Sequence, residues 1–435
     1  MALAYFGIGT YRHLPYKIEA DGKYYYQYLV SGFYDHDFDF TNNYRQPKYK
    51  WMATELDHYL LRDMVNPETH RPVNLFSTGV AILWTPFFVV VYTLANLLSW
   101  IGFDIDLNPW SKFFQYGVML SSLFFAWLTL RMFRDILQQY FDKQVLVISL
   151  ILVVFLSPFF YYAAIESSMS HIYDVFSYTL LLWLIFKARQ ENYQAGLWKI
   201  GMAAALCILV RTQNAPTIAL LGLMLWFDYY QVTKRWVSVP LFVALFAFLV
   251  SIAPFPLTNL YLFGKLFAVP QGSHFMLWGN PQLLNVWFSW RNGFFSYHPL
   301  LLVGLVGYVG WVTQMFRQHH PLRYWWLTLL VAFLVQSYIN ACVIDWWAGH
   351  SFGQRRLLSS LPLFVVGIGN VIAQLRKYSP VVFNKYSLPV SLGLSSLGIY
   401  LMLIHIYIWN YEDPHNIYEW MVYTAPVKIL TYFGL

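Results

Sequence analysis

Apolar stretches of membrane-crossing length recur along the chain, at 75–101, 113–130, 144–163, 172–186, 200–226, 237–258, 295–316, 324–343, 357–374 and 387–409. A helix needs about 20 apolar residues to cross the hydrocarbon core of a bilayer. Apart from 75–101, which orientation places differently, each stretch predicts a membrane-crossing helix, with 200–226 split near Arg211 to Pro216. The opening MALAYFGIG has the character of the tail of a hydrophobic segment, so residues 1–9 are expected to close a first span.

Basic residues orient these spans, because Lys and Arg concentrate in short cytoplasmic links. The links carrying Arg131, Arg134 and Lys143, then Lys187, Arg189 and Lys199, then Lys234 and Arg235, then Arg317 and Arg323, then Arg376, Lys377 and Lys385 are placed inside. That puts 13 basic residues inside, against five in the alternating links: Arg211, Lys265, Arg291, Arg355 and Arg356. Segment 113–130 then runs inward. If residues 1–9 run outward, residues 10–111 form one external region. Segment 75–101 is then expected to be a juxtamembrane or re-entrant helix, broken near Pro86, on the outer face. An ordinary span, with the first nine residues outside, stays open as the other reading. The expected fold is an all-α polytopic membrane protein, a single integral membrane domain over residues 1–435 with about 11 transmembrane helices. Its first external loop, 10–111, carries juxtamembrane helices; a second long external loop covers 256–295, and the stretch from Tyr411 onward is also external.

Composition supports this class. Hydrophobic residues make up 58% and charged residues 11%, whereas a soluble domain has about 25% charged residues. The net charge of +7 is spread over helix ends instead of gathering into a patch, so nucleic acid is not an expected partner. Membrane lipid is. Cys207 and Cys342 each lie in an apolar segment, which leaves no disulfide framework and no thiolate metal site. Among the 19 Trp and 34 Tyr, many belong to an interfacial belt; those in loops can instead stack on sugar faces.

Candidate chemistry gathers on the external side. Glu19-Ala20-Asp21-Gly22-Lys23 leads into a run of tyrosines, where a partly desolvated carboxylate is well sited as a general base. Asp35, Asp37 and Asp39 alternate, as hard oxygen ligands of a metal or as a polar turn with Asn42 and Asn43. In Glu166-Ser167-Ser168-Met169-Ser170-His171-Ile172-Tyr173-Asp174, helical spacing would put Ser167, His171 and Asp174 on one face. Arg211, followed by Gln213 and Asn214, needs either an anion to hold or an acid such as Glu166 or Asp174 to neutralise it. The stretch from Asp345 through Trp347 and His350 to Arg355 and Arg356 places two arginines where topology disfavours them, which points to a bound anion. Pro270 to His274 and Trp290 to Gly293 are read as lid segments or amphipathic surface.

This set of residues resembles the GT-C membrane glycosyltransferases, among them protein O-mannosyltransferases and the bacterial aminoarabinose transferases of lipid A. The likeness is closest at Glu19 to Gly22, at the stretch ending in Asp174, and at Trp346 to Arg356. It implies Asp21 as the base, Glu19 as the neighbouring acid and Asp174 in the second acidic position. Substrate contacts are expected from Glu166, His171, Arg211, Gln213, Trp347, His350, Arg355 and Arg356, with arginines holding the lipid phosphate. The implied donor is a polyprenyl-phosphate-linked sugar; the acceptor is a lipid, a glycan or a protein. No cofactor is assigned, and a divalent metal stays open. The implied setting is a bacterial inner membrane with the site facing the periplasm or exterior. The family's Asp-Glu pair appears here as Glu19-x-Asp21, and His171 precedes the second acid where relatives often have Arg. A transporter or flippase is the rival reading. It predicts paired halves with helices broken at the membrane midplane, whereas the polar residues here crowd the outer mouth.

Overall fold

The computed structural model describes residues 17–45, 65–268, 270–349 and 351–409. The expected first span at 1–9, His350 and the stretch from Tyr411 lie outside the described residues. All the described regular structure is helical apart from two isolated bridges, Val65 with Pro72 and Met276 with Val343.

Helix α1 (Asp21–Val30) opens the described chain. It is followed by α2 (Gly79–Trp100) and α3 (Lys112–Leu137). The stretch 144–163 is two helices, α4 (Lys143–Leu156) and the short α5 (Phe159–Ala164). The break falls at Ser157, whose backbone is extended at φ −127° and ψ 172°. Pro158 explains it, since a proline forces the residue before it out of the helical region. Next come α6 (His171–Gln190), α7 (Leu197–Val210) and α8 (Ala215–Thr233). The split between α7 and α8 falls at Arg211, where the sequence predicts it. Helices α9 (Val239–Ile252) and α10 (Pro254–Phe263) run on from one another, so the second expected loop begins after Phe263 rather than at 256. The chain continues through α11 (Leu283–Phe288), α12 (Phe294–Tyr297), α13 (Pro299–Arg317) and α14 (Arg323–Ala341) to α15 (Leu361–Tyr378) and α16 (Pro380–Trp409).

Among the described residues, seven helical stretches are long and apolar enough to cross a membrane: α2, α3, Val239–Phe263, α13, α14, Arg355–Tyr378 and Pro380–His405. This is the architecture of a multi-pass membrane protein. Helix α2 is one of them. It runs 22 residues without a break, and Pro86 sits inside it. Pro86 removes one backbone donor, and the Thr85 hydroxyl donates to the Ala81 carbonyl at 2.9 Å within the same turn.

The chain divides into two compact units. Unit 1 comprises Met1–Thr129 and Tyr162–Phe275, and unit 2 comprises Leu130–Tyr161 and Met276–Leu435. In unit 1, α7 packs along α9 and against α6, and α1 packs on α2. The tyrosines after Asp21 are all buried and serve this packing. Tyr24 stacks on Phe76 at 5.1 Å, Tyr25 meets Trp84 edge-on at 6.1 Å, and Tyr26 meets Trp110 at 4.9 Å. Their hydroxyls are used as well: Tyr26 donates to the Pro109 carbonyl at 2.6 Å and Tyr28 to that of Phe76 at 2.9 Å. These rings fix α1.

In unit 2, α13 packs along α15, and α4 lies against α15 and α16. The α13–α15 contact is made backbone to backbone through glycines. A Cβ placed on Gly367 would sit 1.8 Å from the Gly304 carbonyl oxygen. Small residues permit such close approach between membrane helices. Gly367→Val is therefore expected to force α13 and α15 apart and to lower thermal stability by at least the roughly 1–3 kcal/mol typical of overpacking. The check is a melting curve of the purified protein in detergent; an unchanged Tm would contradict the contact. At the other end of α4, the Asp142 carboxylate caps the helix by accepting from the backbone N–H of Gln144 and Val145, at 3.0 and 3.2 Å, and pairs with Arg376.

Candidate active site

Two features far apart in sequence meet in unit 1. The backbone N–H of Glu19 donates to the Ser168 hydroxyl at 3.1 Å, and that hydroxyl lies 3.2 Å from the Glu19 carbonyl oxygen. Ser168 thus clasps the turn Glu19-Ala20-Asp21-Gly22 at both of its polar groups. Gly22 seals the contact, because a Cβ there would lie 2.4 Å from the Ser168 Cβ and 2.8 Å from its carbonyl oxygen. Only glycine allows this approach. Ala20 carries the strain of the turn at φ 44° and ψ −123°, a region that costs a non-glycine residue about 1–3 kcal/mol. Asp21 follows as the first residue of α1, where a carboxylate interacts favourably with the helix dipole. Glu19 and Asp21 are both half-buried.

The base of this turn is held by residues that the sequence reading did not single out. Lys17 is buried, and its ammonium donates to the carbonyls of Ala164 and Ile165, at 3.2 and 3.1 Å. The backbone N–H groups of Lys17 and Ile18 both donate to Oε1 of the buried Gln115. Ile165 precedes Glu166, so the lysine fixes one end of the 166–174 stretch and Ser168 fixes its middle. A lysine four residues before Asp21 was the available signal, but only the fold reveals the carbonyls that it reaches.

The 166–174 stretch is not one helix. Residues 166–170 form turns, and α6 begins at His171. Ser167 therefore does not share a helical face with His171; its carbonyl instead accepts from the Tyr173 hydroxyl at 3.1 Å. Asp174 is fully buried. Its Oδ1 accepts from the Asn214 amide at 2.7 Å, and its Oδ2 lies 3.8 Å from Nε of Arg211. The rest of the Arg211 guanidinium faces neighbouring side chains: Nη1 contacts the Ser170 hydroxyl at 3.1 Å and Nδ1 of His171 at 2.9 Å, and Nη2 donates to Gln213 at 3.0 Å. Of the two partners that the sequence allows for Arg211, an anion or a protein acid, the structure supplies Asp174. Asp174, His171, Arg211, Gln213 and Asn214 form one network, which turns on the break between α7 and α8.

The first-loop aspartates are engaged in turns. Oδ1 of Asp37 accepts from the Asp39 N–H at 3.0 Å, and Oδ1 of Asp39 accepts from the Thr41 hydroxyl at 2.6 Å. The Asn43 amide reaches the Ser31 hydroxyl at 2.8 Å. These are the hydrogen bonds of a polar turn.

Unit 2 holds the other expected residues. Nη2 of Arg356 donates to both oxygens of the Asp345 carboxylate, at 2.7 and 2.8 Å, and Nη1 donates to the Asp345 carbonyl. Trp347 lies under the Arg291 guanidinium at 4.3 Å, and its carbonyl accepts from the amide of buried Asn292 at 2.8 Å. Segment 290–293 is thus bound to the 345–349 turn. Arg355 begins a short 3-10 turn, Arg355–Ser360, that leads into α15. His298, which the sequence reading passed over, is buried against Phe352 with ring centroids 5.0 Å apart.

Burial pushes the His298 imidazole down from its ordinary 6.5 to about 3. A group whose folded pKa lies below its unfolded value takes up protons on unfolding, so stability is lost as pH falls from about 6.5 towards 3. His298→Asn is expected to flatten that slope in melting curves recorded across this range; an identical slope in both proteins would remove His298 as its source. Comparison with known protein families, curated proteins and solved structures finds no match for this chain.

Proposed function

We propose that this protein is a membrane glycosyltransferase that moves a sugar from a polyprenyl-phosphate carrier to an acceptor hydroxyl at the non-cytoplasmic face. The observation that carries the reading is the clasped, strained turn that holds Asp21 at the start of α1 beside the 166–174 stretch. A carboxylate on a rigid, partly buried support is what general-base work requires. In the proposed step Asp21 accepts the proton of the acceptor hydroxyl. The hydroxyl oxygen bonds to the anomeric carbon with inversion, and the bond from that carbon to the phosphate oxygen breaks. The electron pair leaves with the lipid phosphate.

Glu19 is the second acid of the turn and the alternative base. Asp174 acts through Arg211 and Asn214 and is a positioning residue in this scheme, with His171 and Gln213 in the same network; Glu166 is proposed as a substrate contact on the sequence resemblance. Arg355 is proposed as a ligand of the lipid phosphate on the strength of the sequence resemblance, with Arg356 and Trp347 in the same segment. Fixed cationic groups stabilise the charge that develops on such a leaving group.

Incubation of the protein in proteoliposomes with a labelled polyprenyl-phosphate sugar tests the reading. Label is expected to appear on an acceptor, and the carrier phosphate to be released. Uptake of the label into the vesicle lumen without transfer would replace the transferase with a transporter.

A further inference from the structure

A cavity of about 240 Å³ lies wholly within unit 1, between the C-terminal half of α1, the 74–78 segment, the 212 turn and α10. Its wall includes Tyr28, Phe76, Thr78, Thr212, Phe255 and Thr258. We infer that this cavity is a subsite for a neutral sugar unit, and that the acceptor is therefore a neutral glycan of two or more units. The inference rests on the proposed transferase reading for its function, but not for its binding chemistry.

The wall limits the ligand by charge. Among the described lining residues the only ionisable side chain is the phenol of Tyr28, which burial raises well above its ordinary value and which donates to the Phe76 carbonyl. Arg211 adjoins Thr212 in the chain but is occupied by Asp174, Ser170, His171 and Gln213. Arg71 donates to the Tyr261 carbonyl at 2.9 Å and lies over the Tyr261 ring at 3.7 Å. A phosphate or carboxylate entering the cavity would meet no cation among the described lining residues, and burying an unpaired charge is costly.

The polar groups of the wall argue against an acyl chain. Three threonines line the cavity, although the Thr78 hydroxyl oxygen is itself buried. Thr212 is exposed and Thr258 is half-buried. Covering such hydroxyls with hydrocarbon leaves each without a partner, at roughly 1–3 kcal/mol apiece. A sugar brings both halves of the match, since its hydroxyls can pair with the threonines and its C–H faces can lie on Phe255 and Phe76. Mixed walls of this kind, mostly apolar with a few fixed polar groups, are usual for small-ligand sites. The wall is also held in place: the Asn74 amide donates to the Tyr24 carbonyl at 2.9 Å.

Position links the cavity to the acidic turn. Tyr28 is seven residues beyond Asp21 on the same helix, a rise of roughly 10 Å. An acceptor whose terminal hydroxyl sits at Asp21 reaches the cavity only through a further sugar unit.

Binding is measured without donor, on the full chain in nanodiscs, by saturation-transfer NMR. The probes are the neutral trisaccharides maltotriose, mannotriose and chitotriose, with trigalacturonate as the charged comparison. At least one neutral trisaccharide is expected to bind, and trigalacturonate at least tenfold more weakly. Thr258→Val, which keeps the shape and removes the hydroxyl, is expected to weaken binding at least fivefold, Phe255→Ala more, and Thr258→Ser little. Binding of none of the neutral probes overturns the inference. So does equal binding of trigalacturonate, or a co-purifying phospholipid in the cavity that the trisaccharides do not displace. Binding with no transfer in the proteoliposome assay would sink the transferase reading alone, and transfer without neutral-glycan binding would sink the subsite alone.

Discussion

Asp21→Asn is expected to lower sugar transfer by roughly 10²–10⁴-fold, the range that a positioned general base contributes, while the protein stays folded. The amide keeps the shape of the carboxylate and cannot take up the acceptor's proton. The turn has supports that do not involve the Asp21 carboxylate. It is held by Ser168 on the Glu19 backbone, by the close fit of Gly22, and by Lys17 and Gln115 beneath it. Among the structural effects of the substitution is a weaker interaction with the start of α1, worth about 0.3–1 kcal/mol. Melting curves should therefore nearly coincide while turnover collapses. Donor binding should survive, so the loss belongs in kcat and not in KM. Glu19→Gln run in parallel decides between the two acids of the turn. If that variant loses activity and Asp21→Asn keeps it, the base is Glu19, and the strain at Ala20 serves to present that side chain instead.

The parts of this protein that were legible in sequence are those governed by a local rule. Hydrophobic run length identifies α2, α3, α13 and α14 as long apolar helices, and the polar cluster at Arg211 marks the break between α7 and α8. Local rules misjudge elements whose outcome depends on neighbours. Pro86 looks like a break, yet α2 runs through it, because packing of that helix in unit 1 outweighs one missing backbone bond. Conversely, 144–163 looks continuous and is interrupted at Ser157, where the following proline has its ordinary effect. The candidate site divides in the same way. Glu19, Asp21 and Asp174 stand out as acids at the mouths of apolar segments. The clasp by Ser168 does not, because a serine reaching a backbone 149 residues away has no periodicity to betray it. Gly22 carries the strongest steric constraint of the turn, but a single glycine at a helix start reads as an ordinary turn residue. The tyrosines after Asp21 mislead for a related reason: ring content alone cannot separate a ligand face from a packing face, and their hydroxyl partners at Pro109 and Phe76 place them in the packing.

Asp174→Ala is expected to cost roughly 3–5 kcal/mol of stability, the usual penalty for removing one partner of a buried ion pair. The carboxylate is fully buried, and the Arg211 side chain keeps 15% of its exposure, so the guanidinium left behind has little water to turn to. The Asn214 amide loses its acceptor at the same time. Asp174→Asn should fall between the wild type and the alanine variant, since its carbonyl can still accept from Asn214 although the charge is gone. Removing both charges in Asp174→Ala/Arg211→Leu should recover part of the loss, and the recovered part measures the coupling of the pair. These stabilities come from thermal unfolding in detergent, set beside transfer rates for the same proteins. In the proposed scheme Asp174 acts by holding Arg211, so the activity of Asp174→Asn should decline with the order of the network and far less than that of Asp21→Asn. A different pattern, with Asp174→Asn as stable as the wild type and as inactive as Asp21→Asn, would mean that the buried carboxylate enters the chemistry itself. The turn at Asp21 would then be a support for the acceptor, and the base would have to be sought one helical turn inside α6.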